Sequence, residues 1–179
     1  MLKLRKNKKG FTLVELIVVI AIMAVLAGVV AGVTVSQLNK QTDKTGATQA
    51  NTVATFISET ALTGDEPTTQ IVLSTLDSNG ADKNVFDVAK VKALINSQYT
   101  AASIPVVNVE DNATVGSDKG KVYITFSTVS TVSVTIGGTA TNVSIADNVI
   151  VTYKPKASGT KTTIFTINAD GVVTKTEVA

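Results

Sequence analysis

Residues 8–35 read KKGFTLVELIVVIAIMAVLAGVVAGVTV, and the fold turns on how this stretch is read. From Phe11 to Val35 its only charged residue is Glu15. At about 1.5 Å per helical residue, residues 11–35 span about 37 Å, enough to cross the roughly 30 Å core of a bilayer with some tilt. The block before it, MLKLRKNKKG, carries Lys3, Arg5, Lys6, Lys8 and Lys9. Basic residues beside an apolar run hold that end on the cytoplasmic side, which places the bulk of the chain outside.

Two ordinary readings of such a run are a secretory signal peptide and a plain signal anchor. Ala24, Ala27 and Ala31 offer small residues to a signal peptidase, but the run is longer than a usual signal core. Neither reading accounts for Glu15. A carboxylate in an apolar span costs about 2.5–3.5 kcal/mol at a helix centre and less near the edge, so it is a functional candidate. The partial positive charge of a helix N-terminus offsets some of that cost.

The segment Lys8-Lys9-Gly10-Phe11-Thr12-Leu13-Val14-Glu15 closely resembles the cleavage and methylation motif of type IV prepilins and pseudopilins. A short basic leader, a Gly, an aromatic residue and a Glu at the fifth mature position coincide at fixed spacing, opening a long apolar run. The resemblance covers residues 3–62. It implies cleavage between Gly10 and Phe11, N-methylation of Phe11 and an assembly role for Glu15. Cleavage there creates an α-amine, largely protonated near neutral pH. In a stack of helices that amine can meet Glu15 of a neighbour, and such a pair fixes register. Gly28 and Gly32 form a G-x-x-x-G that reads either as close helix packing or as a weak spot, since each interior Gly costs about 1 kcal/mol relative to Ala.

Composition narrows the rest. Hydrophobic residues make up 44%, but they concentrate in the first third. The net charge of +2, less the five basic residues of the leader, leaves −3, so no nucleic-acid partner is expected. There is no His, Cys or Trp. Missing His removes the commonest general base and metal ligand, and no enzyme, cofactor or metal site is expected. The absence of Cys departs from the disulfide-bounded loop of Gram-negative pilins and favours a Gram-positive host.

Past the apolar run, Val35, Leu38, Thr42, Gln49, Val53, Phe56, Ile57 and Ala61 recur at steps that leave one apolar face, so the helix is expected to continue to about residue 62, with a kink at Gly46. The organisation read from this is a leader at 1–10, a transmembrane and polymerisation helix at 11–35, its amphipathic continuation at 36–62 and a globular domain at 63–179. A short helix is expected at 85–98. From 104 the period becomes two, with strands at 104–110, 121–128, 131–137, 140–146, 148–154, 161–168 and 172–177, and hairpins at Gly137-Gly138 and Asn168-Ala169-Asp170-Gly171. The fold class is α+β, a long helix packed on a C-terminal antiparallel β-sheet domain. Asp77-Ser78-Asn79-Gly80-Ala81-Asp82 lacks the spacing of a calcium loop and reads as a turn. Asn112 and Asn142 head glycosylation sequons.

The resemblance implies a structural subunit of a type IV pilus. Its partners are then further copies of itself, a prepilin peptidase, the pilus assembly platform, minor pilins and the membrane. It would sit in the cell membrane before assembly and in an extracellular pilus afterwards. Two alternatives stay open: a pseudopilin of a secretion or DNA-uptake system, and a non-polymerising, membrane-anchored extracellular binding protein.

Overall fold

The computed structural model of the chain describes residues 10–64, 70–76, 79–99, 106–110, 115–136 and 139–179. By its contacts the chain divides into two compact units, Met1–Asn39 and Lys40–Ala179. Helix α1 (Leu13–Thr63) begins in the first unit and ends in the second.

In the first unit α1 is long and apolar enough to cross a membrane. Its Leu, Ile and Val side chains stand exposed, Leu13 at 73% and Val30 at 62%. Much β-branched apolar surface on a helix with no partner among the described residues of its unit is what a lipid or helix-bundle environment tolerates and water does not.

The second unit holds the rest of α1 together with β1 (Val72–Leu76), β2 (Asp82–Asp87), α2 (Val88–Gln98), β3 (Val106–Glu110), β4 (Lys121–Phe126), β5 (Ser130–Ile136), β6 (Thr139–Ala146), β7 (Asn148–Lys154), β8 (Thr162–Asn168) and β9 (Val173–Val178). The α+β class expected from the sequence is the one observed. The strands form two sheets, ordered β1-β2-β6-β5 and β3-β4-β7-β8-β9. All pairs are antiparallel except β3 with β4.

The second sheet continues into the first through one bent hairpin. β4 pairs with β7 up to Phe126 opposite Val149, and β5 resumes against β6 at Ser130 opposite Ile145. Between them Ser127 N–H donates to the Asn148 carbonyl at 3.0 Å and Asn148 N–H donates to Ser127 Oγ at 2.8 Å. Thr128 takes a positive φ of 26° at this corner. The period-two signal over 121–154 is therefore continuous, while the bend that splits it between two sheets has no periodicity of its own. The expected turn at Gly137-Gly138 lies outside the described residues, although Ile136 faces Thr139 across it.

Two elements differ from expectation. Residues 72–76 and 82–87, for which no strand is expected from the sequence, pair as β1 and β2 on either side of the turn read at 77–82, with Val72 opposite Phe86. The helix expected from residue 85 begins at Val88. Asp87 stops the strand and caps the helix, its Oδ1 accepting from Lys90 N–H at 3.1 Å, as N-cap Asp side chains do. Val85 and Phe86 serve the core from a strand, and their apolar character fitted either period.

The core joins Ala50, Val53, Ala54 and Ile57 of α1 to Val122 and Ile124 of β4, Val149, Val151 and Tyr153 of β7, and Phe165 and Ile167 of β8. The buried stripe of α1 is Asp43, Gly46, Ala50, Val53, Ala54, Ile57 and Ser58. Of the face read from periodicity, Val53 and Ile57 are buried, while Val35 and Leu38 are exposed. Gly46, Ala50, Ala54 and Ser58 recur every fourth residue, and small side chains in that row let the helix come close. Gly46 does not break α1. It leaves room for the Tyr153 ring, which any Cβ there would strike.

Candidate functional site

The site begins at the start of α1. Thr12 precedes the first helical residue, and its Oγ1 accepts from Glu15 N–H at 3.3 Å. Glu15 reaches back, and its Oε2 accepts from Thr12 N–H and from Thr12 Oγ1–H, both at 2.8 Å. This reciprocal arrangement is a capping box, which satisfies donors that a helix start leaves open. The T-x-x-E spacing ahead of an apolar run is its sequence signature, so Glu15 is not a bare carboxylate in an apolar span but one half of a cap. Both bonds end on Oε2, so the other oxygen of Glu15 stays available to a further donor. Phe11, immediately before the cap, is 92% exposed.

The chemistry available here is recognition and pairing. A carboxylate on the first turn, held by its own helix through Oε2, leaves its second oxygen to accept from another group. A cationic group brought alongside satisfies it, and each charge lowers the other's cost of leaving water. Gly28 and Gly32 face open space, with nothing within 4 Å of where a Cβ would stand. Among the described residues nothing packs against them, so a packing role for them calls for another chain. The leader residues 1–9 lie outside the described residues.

A second constellation lies in the globular unit, and it was not anticipated. Asp43 on α1 is buried, and its Oδ1 accepts from Tyr153 Oη–H at 2.9 Å and from Lys156 N–H at 2.7 Å. Its Oδ2 accepts from Ala157 N–H at 2.9 Å. The carboxylate thus fastens the helix to the segment after β7. Burial, then the hydrogen bond and charge of Asp43, push the Tyr153 phenol well above the ordinary tyrosine range. At the other end of the buried stripe Ser58 Oγ–H donates to the Gly171 carbonyl. Gly171, with φ 76°, closes the turn from β8 to β9, where Val172 N–H donates to Asn168 Oδ1 at 2.8 Å. That turn is the hairpin expected at 168–171. Asp43 sits in QTDKT between lysines, a context that reads as solvated surface.

Among the described residues no group of three or more His, Cys, Asp or Glu gathers as a metal site. Of the stretch weighed as a calcium loop, Asp77 and Ser78 lie outside the described residues, and Asn79 to Ala81 turn into β2. Asn112 also lies outside them, and Asn142 is exposed on β6.

Comparison of the chain with curated proteins and with solved structures finds no match. Residues 5–31 match the family model described as the prokaryotic N-terminal methylation motif. That span contains Gly10, Phe11, the Thr12–Glu15 cap and both Gly28 and the apolar run leading to it. Residues 5–31 therefore carry the leader signature of type IV pilins and pseudopilins, and this supports a precursor of that pilin-like kind.

Proposed function

We propose that the chain is a structural subunit of a type IV pilus, cut between Gly10 and Phe11, methylated on the Phe11 amine and polymerised through residues 11–35. The leader is 1–10, the helix continues through 36–62, and 63–179 form the domain carried on the filament surface. The observation that carries this reading is Glu15, a carboxylate in an exposed apolar helix, oriented by its own cap with one oxygen unused. In the filament that oxygen accepts from the Phe11 amine of a neighbour, and Gly28 and Gly32 let helices approach. Prepilin peptidase, an assembly platform, minor pilins and the membrane are the partners such a route requires. The subunit waits in the cell membrane and ends outside the cell.

Two measurements test it together. Mass spectrometry of the mature chain should find Phe11 at the N-terminus with one added methyl. A terminus near Ala27 or Ala31 would point to ordinary signal peptidase and end the reading. Glu15→Ala should still be inserted and cleaved, yet give few or no surface filaments. Removing one side of a buried ion pair costs about 3–5 kcal/mol, enough to block subunit addition. In a plain anchor the same change removes a carboxylate that is costly in hydrocarbon and loses only the cap bonds to Thr12, so membrane-pool abundance should stay near wild type. Normal filaments from Glu15→Ala remove the pairing role, and a wild-type chain that is processed but never forms filaments favours the non-polymerising anchor.

A further inference from the structure

Sheet edges need protection, because an unpaired strand edge recruits other chains. The edge strand β9 has it. Lys175 and Glu177 lie along it and pair at 2.7 Å. Among the described residues neither edge strand of the sheet β1-β2-β6-β5 carries a charged side chain or a Pro. Among the described residues β5 has β6 on one side and no strand on the other, and β1 has only β2. No Asp, Glu, Lys or Arg occurs between Lys121 and Asp147, and β1 reads Val72-Leu73-Ser74-Thr75-Leu76. β5, Ser130-Thr131-Val132-Ser133-Val134-Thr135-Ile136, has high strand propensity, no Pro and no bulge against β6. In a protein meant to stay monomeric such an edge is an aggregation hazard.

Strand direction supplies a second constraint. β1 with β2, β2 with β6 and β6 with β5 are each antiparallel, so β1 and β5 run in opposite directions at opposite edges of one sheet. A second copy in the same orientation therefore presents its β1 antiparallel to β5, and no inversion is needed. Pairing of two different edges is heterologous and leaves a new β5 open at the far side. Heterologous contacts of this kind build open helical arrays, whereas pairing β5 with β5 closes a dimer.

We infer that the globular unit carries its own polymer contact: the β5 edge of one subunit adds to the β1 edge of the next, continuing the four-stranded sheet between copies of this chain. The inference rests on the polymer reading proposed above. Both edge strands are neutral, so neither repels the other, and their outer main-chain groups, which no strand pairs among the described residues, find partners across the junction. Ser74 and Ser133, both exposed, lie on the two strands concerned.

The test uses the full chain and a charge swap. Ser74→Lys with Ser133→Lys places like charges on the two edges, and Ser74→Lys with Ser133→Glu places opposite ones. The Lys/Lys chain should yield at least tenfold fewer filaments than the Lys/Glu chain at equal membrane-pool abundance. Because the chain has no Cys of its own, Ser74→Cys with Ser133→Cys gives an independent readout. Oxidised filaments should show a ladder of multimers on non-reducing gels that neither single Cys variant produces. Equal filament yields from both charge variants, with no ladder, overturn the edge contact while leaving the polymer reading in place. Failure of the wild-type chain to form filaments removes both.

Discussion

Asp43 is where the globular unit is most sensitive to a single atom. It takes three hydrogen bonds within a buried site, two of them from the backbone amides of Lys156 and Ala157. Asp43→Asn keeps the size but turns an amide donor toward one of those N–H groups. A buried donor left without an acceptor costs about 1–3 kcal/mol. Thermal unfolding of residues 40–179 should show a loss of that order for Asp43→Asn and a larger one for Asp43→Ala. Unchanged melting would mean that water replaces the carboxylate. Tyr153 adds a pH dependence whose sign follows from its raised pKa. Below about pH 10 the phenol is protonated in both the folded and the unfolded chain. Above that, the unfolded chain ionises while the folded one holds its proton, so stability falls as pH rises toward the folded-state value. The alkaline loss should be shallower in Tyr153→Phe than in wild type, and parallel curves would remove Tyr153 as its source.

Three glycines of α1 separate packing inside the subunit from packing between subunits. Alanine is intrinsically better than glycine in a helix by about 1 kcal/mol. Gly46→Ala should nonetheless destabilise residues 40–179, because the Tyr153 ring occupies the space and overpacking costs about 1–3 kcal/mol. Gly28→Ala and Gly32→Ala meet nothing among the described residues of their own chain. They should leave membrane abundance unchanged, so any change in filament yield reports contact with another copy. Most of α1 and the strands from β4 to β9 were legible in the sequence to within two or three residues, because long runs with one period leave little freedom. β1 and β2 were not, since β1 has only five residues, Val-Leu-Ser-Thr-Leu, and β2 opens on the polar Asp82-Lys83-Asn84. The row Gly46, Ala50, Ala54, Ser58 was in plain view but carries no hydrophobic signal; only its spacing marks a close approach. At the helix start, Gly10, Phe11 and Glu15 stand out by motif, and the T-x-x-E spacing from Thr12 to Glu15 marks the cap. Asp43 could not be read, because its partners lie more than a hundred residues away.

Considered as a whole, the chain has an apolar segment that needs company and a globular unit with its own core. A truncated chain beginning at Lys40 should be soluble and fold cooperatively, since Asp43 through Ser58 retain all their buried partners. One beginning at Gly64 loses Val53 and Ile57, both fully buried. Their burial contributes about 1.5–3 kcal/mol each, and without them the sheet faces they cover are open to solvent. That shorter chain should aggregate or melt far lower, and equal melting of the two chains would mean that α1 adds nothing to the core. The two fastenings of α1, Asp43 to the segment after β7 and Ser58 to the β8–β9 turn, stand about 22 Å apart along the helix at 1.5 Å per residue. A pull along α1 loads both at once, together with every side chain between them, so the helix resists in shear and cannot be unzipped one contact at a time. Under tension the globular unit should hold without yielding until a threshold force is reached and then release α1 in a single step.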